Sequence, residues 1–249
     1  MNQEQSGSCK NCGETSSKAY CPLCGQRLSV NQVTFKETFQ DFADTVFSVN
    51  GPLLTTFKGL LKQPGVLFQE YLEGRRKKYY KPVAFFLLTT VLYLTTRSLI
   101  GFDPLKDAMI QVSDDEDPTR LFSQARDFML LNLDKMLFIF VFTLAIFSKI
   151  FFYFRNTLAE FIAISFYMIG VYTLIVTFNM FFVHYGNSNI KPVEILIMGV
   201  YFIVAITSFL KRPKFLIIIK SFVLYFLAFI SYIIVGFGLS TLIIFIKQL

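Results

Sequence analysis

Four cysteines stand close together near the start of the chain, in the pairs Cys9-Lys-Asn-Cys12 and Cys21-Pro-Leu-Cys24, and they are all the cysteines it has. Two residues between thiolates let one tight turn present both sulfurs to a single ion, and two such turns complete a tetrahedral site. Each pair runs directly into a glycine, Gly13 and Gly25, the residue that accepts the positive φ a metal knuckle requires. The spacing therefore predicts a small zinc ribbon with Cys9, Cys12, Cys21 and Cys24 as ligands and Zn²⁺ as structural cofactor. A rubredoxin-like iron centre is the competing occupant, and two disulfides are the competing covalent state. A closed four-thiolate site keeps no open position for substrate, so the module predicts architecture rather than hydrolysis. With so few residues around it, binding of the ion and folding of the module are one event.

What carries this module is mostly apolar. Of 249 residues, 54% are hydrophobic and only 16% charged, too few polar groups to cover the surface of a soluble domain of that length. Five long runs have few or no charges: residues 82–100, 136–154, 157–183, 193–210 and 221–246. A helix needs about 20 apolar residues to cross ~30 Å of hydrocarbon, so each run predicts one span, the last a single tilted helix. No apolar leader precedes the cysteines, and the first span is expected to direct insertion itself.

Lys and Arg collect on the cytoplasmic side of short loops. With residues 1–81 inside, 17 of the 24 basic residues fall inside, six outside, and Arg97 within a span. The loop 101–135 then lies outside with eight acids, among them Asp114, Asp115, Glu116 and Asp117. These lack the glycine-punctuated spacing of a calcium loop. Asp117-Pro118 predicts the start of a helix that runs into the second span. Every turn agrees with a cytoplasmic N-terminus and an external C-terminus. That side is reducing, which favours metal over disulfides.

Between the cysteines and the first span, Thr34-x-x-Glu37 reads as a capping box, followed by Phe35, Phe39, Phe42, Val46 and Val49 at helical spacing. A second stripe, Leu53, Leu54, Phe57, Leu60 and Leu61, follows Asn50-Gly51-Pro52, and a third short helix ends at Gly74. Such helices suit a membrane interface; a cytoplasmic bundle, or packing on the inner ends of the spans, is the alternative. Arg75, Arg76, Lys77, Lys78 and Lys81 form a basic collar that predicts contact with anionic head groups, each worth ~1 kcal/mol, although a positive flank also serves to fix topology. Tyr79 and Tyr80 read as interface anchors. The domain division is thus 1–28, 29–81 and 82–249.

The ribbon's CxxCG…CxxCGQ pattern, the stretch FKETFQDF and above all LKQPGVLFQEYLEGRRKKYYKPVAFFLL resemble an uncharacterised family of bacterial inner-membrane proteins, a domain of unknown function common in the Bacteroidota. The resemblance covers residues 9 to about 100 well and the later spans loosely, and implies a multi-pass membrane protein with no assigned activity. Relatives carry histidines early in a later span. Here Glu160 is kept, but Phe161, Tyr167 and Ile169 stand at those places, which argues against a metal or haem site in the membrane.

Within the spans, Arg97, Glu160, Asn179 and His184 lie toward helix ends, where anchoring is the simplest role. Glu160 is expected to pair with Arg155 or Lys149. Gly170 and Gly199 predict close helix packing. No phosphate-binding glycine loop, nucleophile elbow or paired-histidine zinc motif occurs, and no catalytic residue is singled out. Three basic residues in the ribbon, Lys10, Lys18 and Arg27, are too few for binding nucleic acid phosphates. The sequence predicts an all-α, five-span membrane protein that acts as an interaction scaffold, the ribbon docking a cytoplasmic protein. A small transporter or channel, with the ribbon serving regulation or assembly, is the alternative.

Overall fold

The computed structural model describes residues 7–28, 51–103, 120–186, 193–211 and 215–248. The expected helix over residues 34–49, the acidic run 114–117 and the helix start at Asp117-Pro118 lie outside the described residues. Among those described, the only strands are β1 (Gly7–Ser8) and β2 (Thr15–Ser16), an antiparallel pair inside the cysteine module. Two short helices follow, α1 (Pro52–Lys62) and α2 (Pro64–Leu72). Then come α3 (Pro82–Ile100), α4 (Arg120–Leu131), α5 (Leu133–Phe151), α6 (Leu158–Tyr185), α7 (Val193–Leu210) and α8 (Phe215–Gln248). Pro52, Pro64 and Pro82 each open their helix in its first turn, where the missing N–H costs nothing and the fixed φ is already helical.

The fold is all-α and of the membrane class. Helices α3, α6, α7 and α8 are each long and apolar enough to cross a bilayer. The fifth candidate is a bent pair, α4 and α5, meeting at 86°. The second expected span is therefore shifted: α5 begins at Leu133, includes Asp134, Lys135 and Lys149, and stops before Phe152. The bend falls at Asn132, whose backbone (φ −113°, ψ 32°) leaves the helical region and whose side-chain amide donates to Phe128 O at 2.8 Å. Arg97, at the far end of α3, donates to Leu131 O at 3.4 Å, a carbonyl the bend leaves without a helical partner. Helix α8 starts earlier than the apolar run suggested, and Lys220, expected in the preceding turn, is an exposed residue within it. At 1.5 Å per residue, 34 residues rise about 51 Å, so α8 tilts or protrudes.

Helix α6 is the axis of the bundle. Its most apolar window is 72% buried, against 17% for α8, which lies at the periphery. Helices α3 and α5 pack along α6, and α8 packs along α5, α4 and α7. Close approach is set by two glycines: a Cβ on Gly170 would come within 2.6 Å of the Phe85 ring, and one on Gly199 within 3.2 Å of the Tyr225 ring. The outer faces of α7 and α8 expose Leu196, Val200, Phe222, Phe226, Ile234 and Ile246. An apolar surface of that extent calls for lipid rather than water.

Glu160 is held differently from the ion pair anticipated. It is the third residue of a capping box: its carboxylate accepts from Thr157 N–H (2.8 Å) and from the Asn156 side-chain amide (3.1 Å), while Glu160 N–H donates to Thr157 Oγ1 (3.2 Å). Lys149 instead donates to the carbonyls of Tyr153 (2.8 Å) and Asn156 (2.7 Å), closing the turn between α5 and α6. Asn179 pairs with Glu194 at 2.8 Å, tying the end of α6 to the start of α7.

Candidate metal centre

The cysteine module is built from one turn used twice. Cys9 N–H donates to Glu14 O (2.8 Å) and Gly13 N–H to Cys9 O (2.8 Å); in the second copy Cys21 N–H donates to Gln26 O (2.7 Å) and Gly25 N–H to Cys21 O (2.8 Å). Gly13 and Gly25 take φ of +83° and +67° with open space around each. Backbone conformation, not crowding, therefore demands glycine there. The two turns bring the sulfurs of Cys9, Cys12, Cys21 and Cys24 within 4.8 Å of one another. Cys9–Cys24, Cys12–Cys21 and Cys12–Cys24 are each separated by 3.6 Å.

Those distances test what the site can hold. A disulfide needs a sulfur separation of ~2.05 Å, and all four thiols are free. A tetrahedron with metal–sulfur bonds of ~2.3 Å has edges of about 3.8 Å, close to the separations observed. Burial pushes the Cys9 thiol up, but main-chain amides of Cys12 and Asn11, joined by the Cys24 and Cys12 thiols, bring it down to about 7. At Cys12 the Glu14 amide favours the thiolate, yet desolvation and the three neighbouring sulfurs push it up to about 12. One thiolate forms readily and the next is opposed by the first. A cation among the sulfurs removes that opposition, and the donor set fits one metal ion.

The module sits on the juxtamembrane helices. Gln26, directly after the second knuckle, is 3% exposed. Its Nε2 donates to Gly74 O, and its Oε1 accepts from Lys77 N–H at 3.3 Å. Gly74 ends α2 as a Schellman cap: it takes φ +112°, donates to Tyr71 O (3.2 Å), and Arg75 N–H reaches back to Glu70 O (2.9 Å).

The basic collar is partly engaged within the chain. Glu70 accepts from Arg75 (2.8 Å), Lys78 (2.5 Å) and Tyr79 (2.6 Å). Burial pushes the Glu70 carboxyl up, but hydrogen bonds from Lys78 and Tyr79 and the charges of Lys78 and Arg75 together hold it below the ordinary value. The same hydrogen bond raises Lys78. Arg75 and Lys78 remain 44% and 41% exposed, and the Lys77 side chain faces outward. Tyr79 and Tyr80, expected as interface anchors, are both buried. Tyr80 N–H donates to Thr56 Oγ1 (2.7 Å), and its carbonyl accepts from Tyr167 Oη in the middle of the bundle.

Helices α1 and α2 pack on the spans. Gly65 presses on the backbone of Ser208 and Phe209 in α7, Gln69 Nε2 donates to Phe209 O (2.5 Å), and Tyr201 Oη donates to Leu60 O (3.1 Å). The Phe68 ring stacks on Tyr167 at 6.2 Å. Phe57, Leu60 and Leu61 close one side of an apolar cleft of about 470 Å³ between α6 and α7, which Ile175, Phe178 and Ile197 also line. Sequence reasoning placed the four sulfurs but gave no role to Gln26, Gly65 or Glu70. All three sit in the stretches on which the family resemblance rests, CGQ and LKQPGVLFQEYLEGRRKKYYKP, and that was the available signal.

Fold and site together define an all-α membrane protein that carries a four-cysteine module on a juxtamembrane helix pair. Residues 51–94, from α1 into α3, match a family model described as a protein of unknown function (DUF3667). No curated protein and no solved structure matches the chain.

Proposed function

We propose that the protein is a bacterial inner-membrane scaffold whose cysteine module is a structural zinc ribbon at the cytoplasmic face, where it docks a protein partner. The observation that carries this reading is the exposure of large apolar side chains on the module itself, Tyr20 at 60% and Leu23 at 72%, beside a closed site with no room for substrate chemistry. Apolar anchors on a rigid frame are what a docking surface needs. Reduced thiols and the excess of basic residues on the same side support a cytoplasmic placement. Zinc is favoured because a redox-silent ion suits a purely architectural tetrahedral site. Arg75, Arg76, Lys77, Lys78 and Lys81 contact anionic head groups beside the first span, supplying a second, weaker attachment.

The test is co-purification with three forms of the full chain: wild type, Cys21→Ser, and Tyr20→Ser with Leu23→Ser. Elemental analysis should find one zinc per wild-type chain, none in Cys21→Ser, and one in the double variant. A cytoplasmic protein held by the wild type should be lost from both variants while all three remain in the membrane. Identical proteins recovered with all three forms refute docking through the ribbon, and labelling of the cysteines by an impermeant thiol reagent in intact cells refutes the orientation.

A further inference from the structure

Gln26 belongs to two structures at once. Its carbonyl accepts from Cys21 N–H at 2.7 Å, closing the second metal knuckle. Its side chain, 3% exposed, holds main-chain groups 48 and 51 positions away, the Gly74 carbonyl and the Lys77 N–H. A primary amide suits this position because it offers a donor and an acceptor on one planar group; a carboxylate would have no proton for Gly74 O. The loop it grips is pinned on both sides, by the Gly74 cap and the Glu70 clamp before it and by Tyr80 on Thr56 and Tyr167 after it. Within it the cysteine module holds the Gly74 carbonyl and the Lys77 N–H, while Glu70 holds the Arg75 and Lys78 side chains.

We propose that the module is a metal-dependent latch: ion binding shapes the knuckle that presents Gln26, and Gln26 in turn sets the backbone from Gly74 to Lys77 and with it the stance of Arg75, Lys77 and Lys78. Loss of the ion unfolds the knuckle, withdraws the amide and frees this loop at the mouth of the first span. The metal dependence rests on the reading of the cysteines as a metal site; the Gln26 contact does not.

Hydrogen exchange of the full chain in nanodiscs separates the two. With metal bound, Lys77 N–H is protected. Stripping the ion with a chelator should raise its exchange about tenfold, the factor that loss of about one hydrogen bond carries. Gln26→Ala should produce the same rise with the metal count unchanged. Gln26→Leu, which keeps most of the volume but can neither donate to Gly74 O nor accept from Lys77 N–H, takes its place if the alanine variant sheds the ion. Chelation that deprotects residues 9–26 and leaves 74–78 unchanged overturns the latch, as does a metal-loaded Gln26 variant with wild-type exchange at Lys77. A purified chain with no metal overturns the metal dependence alone, and the Gln26 variants then still decide the contact.

Discussion

Replacing Gly65 by alanine would set a methyl carbon 2.4 Å from both Phe209 N and Ser208 C, and 2.5 Å from Ser208 Oγ. Two of these three atoms are main chain of α7, which cannot rotate aside, so α2 must move away as a body. Forced overpacking costs typically 1–3 kcal/mol, roughly. The shift also stretches the Gln69–Phe209 bond of 2.5 Å, worth about 0.5–1.5 kcal/mol. Against this, alanine gains up to ~1 kcal/mol of helix propensity over glycine. The balance is a loss of about 2 kcal/mol. For a chain of this length each kcal/mol moves Tm by roughly 2–4 °C, which gives a fall of about 4–8 °C. Two matched controls isolate the cause. At Gly59 the new methyl would meet Leu67 Cδ1 at 2.9 Å, the far end of a side chain that can turn, and at Gly238 it would meet nothing within 4 Å. Both alanine variants should be neutral or slightly stabilising. Circular-dichroism melts of the purified protein in one detergent, run side by side, read the difference. A Gly65→Ala melt within 1–2 °C (roughly the spread of the controls) would refute the close seating of α2 on α7.

Glu70→Gln tests the clamp through its pH dependence. Because the folded carboxyl lies below its ordinary value, the clamp adds stability that is present above ~pH 4.3 and is lost as pH falls through the lowered value. Lys78, raised, loses its share only as pH rises through its own folded value, above ~10.4. With its cations over two-fifths exposed, the clamp is worth about 1 kcal/mol or less. The wild type should melt above Glu70→Gln by a constant small margin from pH 6 to 8 (roughly, the plateau between those values), and the margin should vanish in acid; a margin indifferent to pH contradicts the clamp. Thr56→Val keeps the shape of a fully buried side chain but leaves Tyr80 N–H without its acceptor, costing about 1–3 kcal/mol. Thr56→Ser should retain most of that stability, and equal melts for the two variants would contradict the Thr56–Tyr80 bond.

The cysteine knuckles were legible because everything that defines them lies within six residues: thiol spacing, the glycine after each pair, and the amides that turn back on the first cysteine. Gly74 was legible as a cap for the same reason. Glu160 was only half legible. Its place at a helix start was visible, but its partner is Thr157, three residues earlier, in a capping box rather than an ion pair.

By itself, the sequence determined which segments leave water and which residues can bind a metal, since apolar length and local thiol spacing are properties of short stretches. Only the tertiary structure decided what those segments touch. Helix α6 is apolar on all sides, so no periodicity in it could say that α3 and α5 would bury it or that α8 would stay peripheral. The seat of the cysteine module joins Gln26 to Gly74, and the seat of α2 joins Gln69 to Phe209, across 48 and 140 positions. Such pairs form because folding brings a donor and an acceptor into a dry interface where each must be satisfied, and no local pattern records a partner that far away.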